Sequence, residues 1–373
     1  MTNNNKKNMK IRYEAMFVLH SLGDTLGFRN NTIRKYKNVT LDVVNELVYS
    51  YFELGGMNGI DISKWHSSDD TLFHIATTKA MLKYKGKLDK VFLLIVKNEI
   101  IRQHNRIYDD RNIIYRDPGY VTTNTVNDYT EETDASHKPY NELSGGNGCA
   151  MKMHCVGACL YGKEKRDELI NVSIRIGKFT HNSPIGFLGG LVSALFTAFA
   201  IEGMKIEEWP FEMLEILKSK SVKKHIKFGD SEDSLKEVND YLEFIKIWKK
   251  YLESRFNNKK VINNKSHKNL MLRVKYYHQL LVVDTKAINI GDSGYGVGIM
   301  AYDGLLDCTG NWEKLFVYTA LHPGDTDTVC AVASGWYGMY YGYGDVPIRL
   351  IGQMEFGDKL KKLSDKIFKN YYH

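Results

Sequence analysis

The sequence predicts an all-α protein. Apolar residues recur at three- and four-residue spacing along most of the 373 residues, alternating stretches are scarce, and only 6 prolines are available to break helices. With 43% hydrophobic residues the chain can bury a large core.

The elements follow in order. Residues 1–10 are rich in Asn and Lys and read as a disordered tail ahead of one large domain over 11–373. The first helix carries Met16, Leu19, His20 and Gly23 on one stripe. It is expected to end in the string Gly23-Asp24-Thr25-Leu26-Gly27, where glycine lets the chain turn. Helices are expected over 41–52, 69–84 and 91–104. Residues 105–146 are polar without a sustained period and read as a long irregular segment, the kind that often carries binding groups. Helical spacing returns over 148–161, 165–178, 184–203, 210–220 and 232–256. A polar loop is expected over 257–268, 274–283 has no decisive pattern, and 291–298 is a glycine-rich loop with helices resuming from Ile299. In the helix expected over 325–341, the small residues Ala331, Ser334, Gly335 and Gly338 recur at spacings of three and four. Each mid-helix glycine costs about 1 kcal/mol relative to alanine, which close helix packing would offset.

Composition excludes several classes. The net charge of +7 is local, concentrated in Lys218, Lys220, Lys223 and Lys224 and in residues 257–275, and reads as solvated faces rather than a nucleic-acid surface. The 5 cysteines (Cys149, Cys155, Cys159, Cys308, Cys330) are odd in number and form no disulfide framework, which fits a reducing, cytoplasmic setting. Cys155 and Cys159, beside His154, read as packing on one helix face rather than as zinc ligands. No signal peptide is visible and no run reaches the roughly 20 apolar residues of a membrane span; 185–201 comes nearest and is interrupted by glycines and polar residues.

Two acidic strings near opposite ends carry the functional signal: Ser68-Asp69-Asp70-Thr71 and Gly324-Asp325-Thr326-Asp327-Thr328. Each stands at an expected helix start. Adjacent carboxylates repel unless protonated or compensated, and a helix N-terminus supplies part of that compensation. A hard divalent cation, which takes oxygen ligands, would supply the rest. Two glycine strings, Gly145-Gly146-Asn147-Gly148 and Gly294-Tyr295-Gly296, complete neither a Walker loop nor a dinucleotide fingerprint. They either present backbone N–H groups to a diphosphate or serve as plain turns. His181-Asn182-Ser183-Pro184 precedes a helix and either caps it or meets ligand hydroxyls.

Together, and in this order, these strings resemble the ADP-ribosylglycohydrolase family. Gly23-Asp24-Thr25-Leu26-Gly27, Ser67-Ser68-Asp69-Asp70-Thr71, Gly146-Asn147-Gly148-Cys149-Ala150-Met151, Thr180-His181-Asn182-Ser183-Pro184 and Gly324-Asp325-Thr326-Asp327-Thr328 are similar to the family's successive motifs, over about residues 13–343. The likeness is greatest to the ADP-ribosyl-arginine hydrolase branch, in Trp65-His66-Ser67, in 188–200 and in Ala301-Tyr302-Asp303. Pro323 departs from the family, which has a first glycine there.

The resemblance implies an orthogonal helical domain with a loop-lined cleft for two Mg²⁺. It implies hydrolysis of the N-glycosidic bond between ADP-ribose and protein arginine, reversing mono-ADP-ribosylation. The protein is expected to be a cytoplasmic monomer. Ser68, Asp69, Asp70 and Asp327 would bind one metal, and Asp325, Asp327 and Thr328 the other. Asp69 or Asp70 would take the proton of the attacking water. Thr122, Thr123, Asn124, Gly146, Asn147, Gly148, His181, Asn182, Ser183, Gly294, Tyr295 and Gly296 would contact ADP-ribose, with Tyr295 stacking on adenine. The alternatives are hydrolysis of a serine or O-acetyl linkage, and ADP-ribose binding without turnover.

Overall fold

The computed structural model describes residues 3–34, 41–110, 114–129, 139–262 and 265–372. Helices dominate: α1 (Asn3–Arg34), α2 (Leu41–Glu53), α3 (Gly56–Gly59), α4 (Asp69–Met81), α5 (Lys90–Asp110), α6 (Tyr120–Asn127), α7 (His154–Cys159), α8 (Arg166–Gly177) and α9 (Pro184–Ile201) form the first half. There follow α10 (Trp209–Leu217), α11 (Lys220–Lys223) and α12 (Glu232–Arg255), then α13 (Lys265–Lys268), α14 (Leu270–Leu281) and α15 (Gly294–Cys308). The chain closes with α16 (Trp312–Ala320), α17 (Thr326–Tyr341), α18 (Ile348–Gln353) and α19 (Gly357–Tyr371). Among the described residues the sheet content is one antiparallel hairpin, β1 (Phe256–Asn257) with β2 (Lys260–Val261).

Helix starts follow side-chain chemistry. Ser68, Ser183, Ser231, Asn269, Ser293 and Asn311 each accept a backbone N–H in the first turn of the helix that follows, which satisfies donors that the helix leaves open. Amphipathic spacing then sets what each helix buries. In α19, Leu360, Leu363, Ser364, Ile367 and Phe368 are buried at helical spacing. Helix α9 is buried on every side, so its length and apolarity belong to the core; it is long and apolar enough to cross a membrane. One contiguous apolar core runs from Tyr13 to Tyr372.

The central pair is α1 against α17, and glycine permits it. A Cβ on Gly23 would lie 2.5 Å from the Cys330 carbonyl oxygen, one on Gly27 2.3 Å from that of Thr326, and one on Gly338 2.6 Å from that of Ala15. Gly23 and Gly27 therefore do not end the first helix, as the sequence suggests; they let it run on to Arg34 with α17 in backbone contact. Residues 3–10 belong to this helix rather than to a loose tail.

Other expectations change as well. The irregular segment contains α6, while 111–113 and 130–138 lie outside the described residues. The polar loop contains the β1–β2 hairpin and α13, the unassigned stretch is α14, and α15 starts at Gly294 within the glycine string. All five cysteines are free and buried.

A buried ionic network ties α12, α14 and α15. Arg255 Nε lies 2.6 Å from Asp303 Oδ1, and Arg273 Nη2 2.5 Å from Asp303 Oδ2. Tyr251 and Tyr277 each donate a hydroxyl to the same carboxylate at 2.7 Å. Burial opposes the Asp303 charge, but Arg273 and Arg255 outweigh it and hold the carboxyl far below its ordinary range. The flanking helices are thereby clamped behind the glycine string that opens α15.

Candidate active site

The first turn of α4 is organised by Asp24 from α1. Asp24 accepts the Ser68 and Thr71 backbone N–H groups at 3.0 Å each and the Thr71 hydroxyl at 2.5 Å. Ser68 Oγ accepts Asp70 N–H at 3.1 Å. The N-terminus of α4 is thus capped by Ser68 and by Asp24 from α1, and Asp69 and Asp70 stand at the start of α4 with Asp70 almost wholly enclosed. Buried Arg116 supports the same turn: its carbonyl accepts Asp69 N–H at 3.0 Å, and its guanidinium donates to the Ser67 carbonyl at 2.7 Å and pairs with Glu355.

The first turn of α17 faces it. Asp325 N–H donates to the Ile290 carbonyl at 3.1 Å, and Asp325 Oδ2 accepts Asn147 Nδ2–H at 2.8 Å. Thr326 donates its hydroxyl to the Gly27 carbonyl at 2.8 Å, which fixes α17 on α1. Thr328 donates to Asp70 Oδ1 at 3.4 Å, so the two acidic strings meet.

The glycine strings form one ledge beside them. Gly146 bridges Ser293, Gly294 N–H donates to the Gly145 carbonyl at 3.0 Å, and Asn147 N–H donates to the Asp292 carbonyl at 2.9 Å. A cleft of about 680 Å³ lies over this ledge and both helix starts. Of the residues singled out from sequence, Asp69, Asp70, Asp325, Asp327, Thr328, Thr122, Thr123, Gly146, Asn147, Gly148 and His181 line it. Asn124 and Asn182 instead line a neighbouring cavity of about 490 Å³.

Several expected contact residues are placed differently. Ser68 and Ser183 are fully buried; Ser183 donates to Asp240 Oδ2 at 2.7 Å and caps α9. Gly294 is packed on α9, where a Cβ would stand 1.9 Å from the Ile185 carbonyl oxygen, and Gly296 N–H is taken up by Ser293 Oγ at 3.1 Å. Tyr295, the expected adenine platform, is wholly buried, edge-on to Phe244 with its hydroxyl on Glu243. Its ring is covered by α12, so neither face is open for stacking. It lies beneath a cavity of about 430 Å³ also lined by Leu143 and Ile288, which are among the exposed large apolar side chains.

Sequence reading missed Asp117, Tyr108 and Asp292, which line the cleft. Asp117-Pro118-Gly119 carried a turn signal, and Asp117 does adopt a left-handed φ of 50°. Asp292 lies between Gly291 and Ser293 in a stretch whose clearest signal is its glycines. Nothing local marked Tyr108.

The electrostatics are those of a site built for positive charge. Burial first, and then Asp24, raise the carboxyls of Asp69 and Asp70 well above their ordinary range. Burial and then Asp325 do the same to Asp327. Asp70 Oδ2 is buried with no hydrogen-bond partner. An orphaned carboxylate oxygen among like charges fits a hard divalent cation held by oxygen ligands. His181 is the opposite case: burial, then Lys152, lower it to about 3, so the ring is neutral.

Residues 5–373 match the ADP-ribosylglycohydrolase family. The chain belongs to this family. An ADP-ribosylhydrolase, ARH1, of Dictyostelium discoideum is 30% identical over 97% of the chain and 94% of its own length. A protein of Acanthamoeba polyphaga mimivirus named "Putative ADP-ribosyl glycohydrolase" is 33% identical over 88% of the chain, which spans 63% of that relative's length. A solved structure of an ADP-ribosylglycohydrolase-related protein complex shares the fold, with a TM-score of 0.57 over 97% of this chain and 99% of that one at 16% identity. The ADP-ribosylglycohydrolase fold thus accounts for the helical architecture, and the acidic cleft sits within it.

Proposed function

We propose that the chain hydrolyses the N-glycosidic bond between ADP-ribose and the arginine of a modified protein, with magnesium as cofactor. The observation that carries this reading is the meeting of Asp69 and Asp70 with Asp325, Asp327 and Thr328 on the floor of one cleft. Family membership and the ADP-ribosylhydrolase relative support it.

Asp69, Asp70 and Asp327 would hold one Mg²⁺, and Asp325, Asp327 and Thr328 a second. When bound, the metals supply positive charge and lower the pKa of water at the cleft floor. Asp69 or Asp70 takes a proton from the attacking water, a role worth about 10²–10⁴-fold in rate. The water oxygen bonds to the anomeric carbon, the carbon–nitrogen bond breaks, and the guanidine leaves with a proton. The glycine ledge lets the ADP-ribose backbone approach without side-chain obstruction, and Thr122 and Thr123 offer hydroxyls beside it. The apolar side chains Leu143 and Ile288 suit an adenine at the adjoining cavity.

Arginine is favoured over serine by charge. Asp117 and Asp292 join the acidic floor, and the described lining contains no lysine or arginine. A cationic guanidinium gains from that field, and a neutral seryl oxygen does not. The test is a panel of arginine-, serine- and O-acetyl-linked ADP-ribose with Mg²⁺ present. Release from the arginine linkage is expected to dominate; dominant release from another linkage would reassign the substrate, and binding with no turnover of any would refute catalysis.

A further inference from the structure

Behind the acidic cleft, His20 of α1, His74 of α4 and His154 of α7 meet in the core. All three rings are buried, with centroids 4.2 Å apart for His20–His74, 5.1 Å for His20–His154 and 5.8 Å for His74–His154. One nitrogen from each lies within 4.8 Å of the others. We propose that these histidines form a transition-metal site of the zinc class, separate from the hard-cation site of the cleft.

The hydrogen bonds define which nitrogens are available. His20 Nε2 lies 2.7 Å from the Met151 carbonyl oxygen, and His154 Nε2 3.1 Å from that of Val332. A carbonyl only accepts, so each Nε2 carries the proton and each Nδ1 keeps a lone pair. His20 Nδ1 has no partner, and neither nitrogen of His74 has one. A ring that donates one nitrogen to a carbonyl and turns the other to a common point is the arrangement of a metal-bound histidine. His154 Nδ1 is 3.4 Å from Ser193 Oγ, leaving that hydroxyl or a water for the fourth position. Gly335 makes room, since a Cβ there would stand 2.5 Å from His154 Nε2. Zn–N bonds of about 2.0–2.1 Å need the three nitrogens about 3.4 Å apart, so the set closes from within 4.8 Å when an ion binds.

Asp24 stands four residues after His20 on α1, and Asp70 four before His74 on α4, about one helical turn along each helix. Burial first, and then neighbouring histidines for His20 and His74, keep the rings neutral, with His154 lowered to about 4. Neutral imidazole is the ligating form. The donor set is all nitrogen, which suits Zn²⁺ or Co²⁺ over Mg²⁺. Closed burial means that the ion enters during folding.

The test grows the full, untagged chain with Zn²⁺ or Co²⁺ in the medium, desalts it into excess Mg²⁺, and measures metal by mass spectrometry. About one Zn²⁺ per chain should survive the Mg²⁺ wash, and the Co²⁺ protein should show the visible absorption of a tetrahedral nitrogen site. His20→Gln and His74→Phe should cut retained metal about tenfold, while the cleft variant Asp327→Asn should retain it. Folded wild-type protein free of zinc and cobalt would overturn the proposal, as would folded histidine variants that keep the metal, or its loss in Asp327→Asn. Where a histidine variant does not fold, the wild-type metal content and spectrum decide alone.

Discussion

Asp70 and Thr328 stand 258 positions apart in sequence and meet at 3.4 Å, hydroxyl to carboxylate. Two helix N-termini thereby face each other across one acidic floor. Their dipoles offset part of the carboxylate repulsion, but burial, and after it the like-charged neighbours, still favours the protonated forms of Asp69, Asp70 and Asp327.

The first prediction concerns pH and magnesium together. Folded-state carboxyl values above the ordinary range mean that, without metal, the folded chain keeps protons that the unfolded chain has released above about pH 4. The contribution of these groups to stability therefore falls as pH rises from there through their raised folded values. Mg²⁺ displaces those protons, so its stabilising effect grows with pH. The rise in Tm on adding saturating Mg²⁺ should be larger at about pH 8 than at about pH 5.5 and correspond to roughly 3 kcal/mol at a hundredfold excess over Kd. Asp327→Asn should lose most of it. An equal Mg²⁺ effect at both pH values would contradict the reading.

A second prediction follows from the close contact of α1 with α17. Gly27→Ala places a methyl 2.7 Å from Asp327 Cα and 2.3 Å from the Thr326 oxygen. The helices must part, at a cost of about 1–3 kcal/mol. Because Asp327 moves with its helix, Mg²⁺ affinity should fall too. Urea denaturation and Mg²⁺ titration of one sample check both effects.

Gly148 separates positioning from stability. A Cβ there would come 2.6 Å from His181 Cε1. Gly148→Ala should push the ring into the cleft and lower kcat/KM by up to about 10²-fold, with Mg²⁺ binding retained. Steady-state kinetics beside a metal titration would show whether the two separate.

How much of this was legible beforehand divides along physical lines. Local chemistry was readable: Ser183 before Pro184 reads as a helix start and is one, and the two acidic strings read as helix starts and are. What depended on a neighbour was not. Gly23 and Gly27 look like a helix terminus until α17 is laid against them. Tyr295 looks like a platform until α12 covers it with Phe244 and Glu243. His20, His74 and His154 come from three separate segments, and only the fold makes them a set.

The buried network offers a test of the scaffold alone. Asp303→Ala would leave Arg255 and Arg273 without their shared carboxylate and should cost about 3–5 kcal/mol. Denaturant midpoints should report this loss.

The most direct measurement is anomalous diffraction from crystals soaked in Mn²⁺, a scatterer that takes magnesium's oxygen ligands, with ADP-ribose present. The account predicts manganese between the first turns of α4 and α17, on oxygens of Asp69, Asp70, Asp325 and Asp327, with the ribose against it. A cleft floor without manganese, or manganese bound by only one of the two acidic strings, would contradict it.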